Sequence, residues 1–520
     1  MSVRRFVLAG LLLAGLPQVV SPQGASPPRR LTLEQALGLA VPASEAIDLA
    51  RSGVDRAEGE ERRARSSLLP QLNGSASFTR LLKSQFSGLG VEDTGGDPAP
   101  TSCDAFAPLP AQPIGERVAA LEQSVRCVSR LNPFGSLGSL PFGRANTWNL
   151  GLEASQTLFA GGRLANGVRA AGAGVRSARL GVDAARAELT LRVVEAYYDA
   201  ALADRLVAIA QAALDQADTT LTQTALRREV GTAPEFDLLR ATVARDNLRP
   251  PRIQAEAQRD IAYHSLRHLL NLPGAEPLEL VTALTDTAFT GVPTLAALVA
   301  RAPDTSADQR VTVRQAAEAV AAQDALLRAA RGELLPAISV LSQYGKVAYP
   351  SGGLPDWNDF YTNWNVVVGL QVPLFTGGRL RAGREVARAG LAEAELRRRQ
   401  AAEGASLDAH AARARLDAAA ATWTVSAGTI AQANRAYEIA EVRFREGIST
   451  QTELLDARLA LQQAEANRAQ AARDYLVARV RFALIADLPL DGGSAAPARS
   501  QSSPRPAQPA ASTSTGPGFP

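Results

Sequence analysis

Two periodicities alternate along this chain, and each recurs in the same order. Residues 71–80 repeat every second position, with Leu72, Gly74, Ala76 and Phe78 set against Asn73, Ser75, Ser77 and Thr79. The same period runs through 148–158, where Trp148, Leu150, Leu152 and Ala154 oppose Asn149, Gly151, Glu153 and Ser155. It is fainter at 337–346 (Ile338, Val340, Ser342, Tyr344) and stronger at 364–374, where Trp364, Val366, Val368, Leu370 and Val372 alternate with Asn365, Val367, Gly369 and Gln371. One apolar face per segment predicts four β-strands. Segments of this length and pattern suit transmembrane β-strands, and equally an ordinary soluble sheet buried on one side. Between them the period is helical. Residues 163–229 and 379–445 are rich in Ala, Arg, Glu and Leu and free of proline. Each predicts a helix roughly 100 Å long, far more than a globular core requires. Their small Ala side chains allow close antiparallel packing of coiled-coil type.

The boundaries of these segments carry their own signals. Leu68-Leu69-Pro70 and Leu334-Leu335-Pro336 end a helix, because proline disfavours helix for the residue before it. Paired glycines, Gly161-Gly162 and Gly377-Gly378, permit a sharp strand-to-helix elbow. The long helices stop at Gly231 and Gly447, and second helices return over 234–271 and 450–487. Pro250-Pro251 interrupts the first returning helix where the second has Ala466-Asn467, and predicts a bend.

Aligned at an offset of 216, Trp148-Asn149-Leu150 meets Trp364-Asn365-Val366, and Leu158-Phe159-Ala160-Gly161-Gly162-Arg163 meets Leu374-Phe375-Thr376-Gly377-Gly378-Arg379. The same offset pairs Gly231 with Gly447 and Leu272-Pro273 with Leu488-Pro489. The Leu-Leu-Pro motifs pair at 266, because the first copy carries fifty extra residues between its two strands. The chain therefore reads as a duplication: repeat one over 31–273, a connecting segment at 274–293, and repeat two over 294–489. Residues 491–520, rich in Ser, Pro, Gly and Ala, read as a disordered tail.

Composition narrows the function. The 520 residues carry 55 basic and 52 acidic groups with no basic block, which argues against nucleic acid as a partner. Three His, two Cys and a single Met leave little from which to build a catalytic or redox site, so an enzyme is not expected, nor any cofactor. His264 and His268 lie four apart on a helix without a nearby third ligand, so no metal site is expected. No phosphate-cradling Gly-rich loop occurs. Arg4-Arg5 followed by apolar Phe6–Leu16 reads as a signal peptide over about 1–21. No later apolar run is long enough for a transmembrane helix, so a membrane crossing requires a closed barrel.

Taken in order and duplicated, these features resemble the TolC family of outer-membrane efflux and secretion channels. The resemblance covers roughly 31–490, from the opening Leu31-Thr32-Leu33-Glu34-Gln35-Ala36-Leu37 through both Phe-x-Gly-Gly-Arg elbows and both hairpin tips. It implies a homotrimer in the outer membrane of a Gram-negative bacterium. Each protomer would give four strands to one twelve-stranded barrel, continued by a periplasmic α-helical tunnel. It also implies a periplasmic adaptor protein and an inner-membrane pump, proton-driven or ABC, as partners, with outer-membrane lipid around the barrel. By resemblance, Arg227, Gly231, Arg443, Gly447 and Ser449 at the tips dock the adaptor. Ala233 stands in the first tip where the second has Ser449, so the first tip departs from the family pattern there.

Glu453 and Asp456 share one helix face at i and i+3, a pattern that also suits an ordinary acidic first turn facing the helix dipole. The resemblance makes them a periplasmic aperture ring, to which the first copy offers Asp237 followed by Arg240. Cys103 and Cys127 lie in the insert between the first two strands, a connection that would be extracellular and oxidising. A disulfide there would stabilise by roughly 3 kcal/mol on a chain-entropy argument, the alternative being two free thiols. The expected function is a passive exit channel of a tripartite efflux system. A type I protein-secretion duct is the alternative within the fold, and a secreted coiled-coil structural or adhesin protein is the alternative outside it.

Overall fold

A computed structural model describes residues 28–82, 103–104, 106–107, 110–130, 146–272, 277–350, 352 and 354–490. The expected signal peptide and tail lie outside the described residues, as does much of the insert between the first two strands. The chain divides into two units, one formed by 1–53, 177–317 and 397–520, the other by 54–176 and 318–396.

The second unit is built on a four-stranded antiparallel sheet of β2 (Gln71–Arg80), β3 (Asn146–Ala160), β5 (Ala337–Ala348) and β6 (Phe360–Gln371), in that order. Register places the alternating positions of all four strands on common faces. Leu72 pairs with Ala154, Gly74 with Leu152 and Phe78 with Trp148; Leu152 pairs in turn with Tyr344, and Tyr344 with Trp364. One face therefore carries Leu72, Phe78, Trp148, Leu150, Leu152, Val340, Tyr344, Trp364, Val366, Val368 and Leu370, interrupted by Ser342, Lys346 and Thr362. The other carries Asn73, Ser75, Ser77, Asn149, Glu153, Ser155, Gln343, Asn363 and Asn365, with Leu341, Val347, Tyr361 and Val367 among them.

The apolar face is not a core. Trp364, Val366, Val368 and Leu370 are 61–71% exposed, and all of β2 is exposed. Among the described residues β2 pairs only with β3 and β6 only with β5, so the outer edges of both strands present unpaired backbone groups. The fourth strand spans 360–371 instead of 364–374. It begins earlier because Phe360 and Tyr361 pair with Ala348 and Val347, and it stops before Pro373, which has no N–H to extend a ladder.

The helices α2 (Glu45–Ser66) and α8 (Val311–Gly332) lead into β2 and β5, while α4 (Arg163–Glu229) and α9 (Arg379–Arg445) leave β3 and β6, each of the four belonging in part to both units. Both elbows use left-handed glycines, with φ of 59° and 79° at Gly161 and Gly162, and 59° and 86° at Gly377 and Gly378. The first elbow also needs a close approach. A Cβ on Gly161 would stand 2.2 Å from the Gly332 carbonyl oxygen, and one on Gly332 would stand 2.3 Å from that of Gly161. The insert contributes α3 (Ile114–Arg130), and Cys103 and Cys127 are joined by a disulfide with Cα atoms 6.0 Å apart.

The first unit has a compact core. The connecting segment contains a short strand, β4 (Leu278–Leu280), parallel to β1 (Arg29–Leu31). Next to β1, α1 (Leu33–Ala40) starts with a capping box in which Thr32 and Gln35 bond each other's backbone N–H. Leu31, Leu33, Val193, Val194, Tyr197, Tyr198, Leu266, Phe289, Leu295 of α7 (Pro293–Ala300), Leu476 and Val480 belong to the buried cluster. Tyr197 ties it to β1, its hydroxyl donating to Leu31 O and accepting from Thr282 N, each at 2.9 Å. The returning segment of repeat one is two helices, α5 (Glu235–Asp246) and α6 (Arg249–Leu269), whereas α10 (Gln451–Ala483) is continuous. Asn247 and Leu248 between α5 and α6 keep right-handed helical torsions, so the helix is interrupted for only two residues.

Candidate functional site: the hairpin tips

Both long helices end in the same backbone device. Gly231 takes φ of 77°, its N–H donates to Arg228 O at 3.0 Å, and the Thr232 N–H reaches back to Arg227 O at 2.8 Å. Gly447 takes φ of 74°, with the Gly447 N–H on Phe444 O at 3.1 Å and the Ile448 N–H on Arg443 O at 2.8 Å. These are Schellman caps, which satisfy the last carbonyls of a helix and need a residue tolerant of the left-handed region. Two roles thus fall on the same residues: Arg227 and Arg443 lend backbone carbonyls to the caps, whatever their side chains do.

The two arginine side chains differ. Arg227 reaches the other tip, where its Nη2 donates to Arg445 O at 2.8 Å and its Nη1 to Phe444 O at 3.5 Å. Its guanidinium also stands 5.3 Å from the centre of the Phe444 ring. It supplies positive charge to the carboxyl end of α9, where the helix dipole is negative. Arg443 is exposed, as are Gly231 and Gly447. Ser449 is half-buried, its hydroxyl donating to Ala440 O at 3.5 Å.

After the second tip Thr450 caps α10, its hydroxyl accepting from the Glu453 N–H at 3.3 Å. Gln451, Leu454 and Arg458 face inward and are buried. Glu453 and Asp456 fall on the opposite, exposed face, and neither makes an ion pair among the described residues. Asp237, in the first turn of α5, is half-buried, and no hydrogen bond joins it to Glu453 or Asp456 among the described residues.

Sequence reasoning missed a polar layer behind the tips. Arg458, 5% exposed, donates from Nη2 to Thr220 Oγ1 at 3.1 Å and to Gln216 O at 3.4 Å. Gln216 in turn bonds Glu441 at 3.3 Å. Burial raises the Tyr437 phenol above its usual pKa, against the attraction of the Arg458 charge. In a chain with so many arginines nothing marked Arg458 as the inward one, except its seven-residue spacing from Gln451 and four from Leu454. No group of three or more His, Cys, Asp or Glu able to hold a metal occurs among the described residues, and no described helix is long and apolar enough to cross a membrane.

A sequence profile described as "Outer membrane efflux protein" matches residues 134–272 and 302–486. The chain belongs to that family. This is the TolC-like family of outer-membrane efflux channels anticipated from the sequence. Among curated relatives, Nodulation protein T of Rhizobium leguminosarum bv. viciae is 26% identical over 332 residues, covering 62% of this chain and 65% of that protein. The pyoverdine export outer membrane protein OpmQ of Pseudomonas putida is 28% identical over 325 residues, covering 59% and 66%. The chain thus spans just under two thirds of the length of these relatives. The fold is that of solved channels in the family. CusC superposes with a TM-score of 0.66 at 19% identity, covering 87% of this chain and 91% of that one. CmeC of Campylobacter jejuni gives 0.65 at 18%, covering 88% and 86%. MtrE of Neisseria gonorrhoeae, solved in an open state, gives 0.64 at 20%, covering 87% and 88%.

Proposed function

We propose that this outer-membrane efflux protein is a passive trimeric exit duct that carries small molecules to the cell exterior. The observation that carries the reading is the sheet: a mainly apolar face, a more polar face behind it, and two edges unpaired among the described residues. In lipid the apolar face needs no cover, but an open edge leaves several kcal/mol of unsatisfied backbone polarity per group. Four strands from one chain are too few to enclose a channel. Joining β6 of one copy to β2 of the next removes every edge, and three copies give the twelve-stranded barrel with polar residues inside. The matching elbows, tips and long helices then follow from a duplicated chain, with the helices forming a periplasmic tunnel.

On this reading the hairpin tips are the gate and the adaptor-docking surface. Arg443, Gly447 and Ser449 offer the more open groove, since Arg227 is committed to the second tip. Glu453, Asp456 and, less directly, Asp237 give an acidic aperture that concentrates cations. The chain supplies no energy and no catalysis; an adaptor and an inner-membrane pump, proton-driven or ABC, do the work. Export of small molecules is favoured over protein secretion by the likeness to a pyoverdine exporter. Native mass spectrometry of the detergent-extracted protein tests the assembly. Three chains per particle is the expected result, and a monomer with full strand content would overturn it.

A further inference from the structure

Helix α3 is amphipathic in a way the channel does not explain. Its apolar residues Ile114, Val118, Leu121, Val125 and Val128 are 77, 48, 44, 57 and 59% exposed. Their spacing alternates four and three residues, the 3.5-residue period of a coiled-coil seam, with Val118 and Val125 at a and Ile114, Leu121 and Val128 at d. Every core position but Leu121 is β-branched, a composition that shifts preference away from two strands. The seam is narrow and free of aromatic residues, and Arg117 and Glu122 flank it. Helices that lie on lipid instead show a wide apolar face carrying Trp, Phe or Leu.

Charge completes the pattern. Arg117 occupies g and Glu122 the following e, and in a parallel coiled coil these positions meet across the interface. Within one chain Arg117 makes no ion pair among the described residues, and its Nε is withdrawn from solvent without a hydrogen-bond partner. Glu122 has only the exposed Arg126, at 3.5 Å. A 17-residue helix is marginal in water by itself, and a disulfide through Cys127 ties this one to Cys103.

We propose that the α3 helices of three copies pack as a parallel coiled coil over the outer mouth of the channel, with Arg117 of each copy on Glu122 of the next. The inference rests on the trimeric-barrel reading above. Topology supplies the location: β2 starts directly after α2 and β3 ends directly before α4, so the β2–β3 connection holding α3 leaves the sheet at the end remote from those helices. Symmetry supplies the consequence, because a bundle that takes one helix from each of three equivalent chains lies on the threefold axis. The bundle therefore stands in the exit path and narrows it.

The test is oxidative cross-linking of the full-length protein in isolated outer membranes. Leu121→Cys at the seam should form several-fold more covalent dimer than Ala119→Cys, which lies at a b position away from it. Arg117→Glu in the Leu121→Cys background should lower the yield several-fold, and adding Glu122→Arg should restore it. Equal cross-linking of Leu121→Cys and Ala119→Cys in a complex that is trimeric by native mass would overturn the α3 bundle and leave the channel reading standing. A monomeric complex would overturn both.

Discussion

Gly161 and Gly231 both hold left-handed backbone, yet their surroundings make them unequal. Around Gly231 a Cβ would meet nothing within 4 Å, so Gly231→Ala costs only the left-handed penalty, about 1–2 kcal/mol. At Gly161 a Cβ would overlap the Gly332 carbonyl, and overpacking adds a further 1–3 kcal/mol or so. Thermal unfolding should place Gly161→Ala clearly below Gly231→Ala; equal losses would show that the elbow is not as tight as described. The glycine pairs were legible in the sequence as turn signals. The partner Gly332 was not, because nothing local requires it: the matching place in the first copy is Ser66. The acidic pair is tested at this scale too. Replacing Glu453 and Asp456 with Ala should lower cation selectivity in planar bilayers, measured as a reversal-potential shift in a salt gradient. No shift would remove these residues from the aperture.

Between α5 and α6 the chain deviates from helix by very little. Asn247 and Leu248 keep helical torsions, but Pro250 and Pro251 give up two N–H groups and crowd the preceding turn. Substituting Pro250→Ala and Pro251→Asn, the residues found at 466 and 467, should fuse the two helices. Hydrogen exchange at 247–249 should then slow; unchanged exchange would place the cause of the interruption in packing, not in proline. Elements of this kind were readable wherever a period was long and its ends were marked by Gly or Pro, as at 163–229 and 379–445. They were harder to read where tertiary pairing decides. β1 and β4, three residues each, have no period at all, and the start of β6 at Phe360 is set by its partner strand β5.

For the whole molecule the decisive feature is one that a single chain leaves unfinished. A sheet with Trp364, Val366, Val368 and Leu370 exposed, and with two edges unpaired among the described residues, is an aggregation hazard in water, and on the proposed reading it is a third of a barrel wall. The alternation that builds this face was visible residue by residue. That the face stays uncovered was not, because half-buried soluble strands show the same alternation. Contacts between remote segments, such as Arg227 on the Arg445 carbonyl, were also beyond a sequence pattern, since they depend on how two hairpins come together. The central claim is that three such chains close a water-filled pore, and single-channel recording of the purified protein in a planar bilayer tests it most directly. Trimeric protein should give discrete, cation-favouring conductance steps. Protein that keeps its strand and helix content but inserts without any conductance would contradict it.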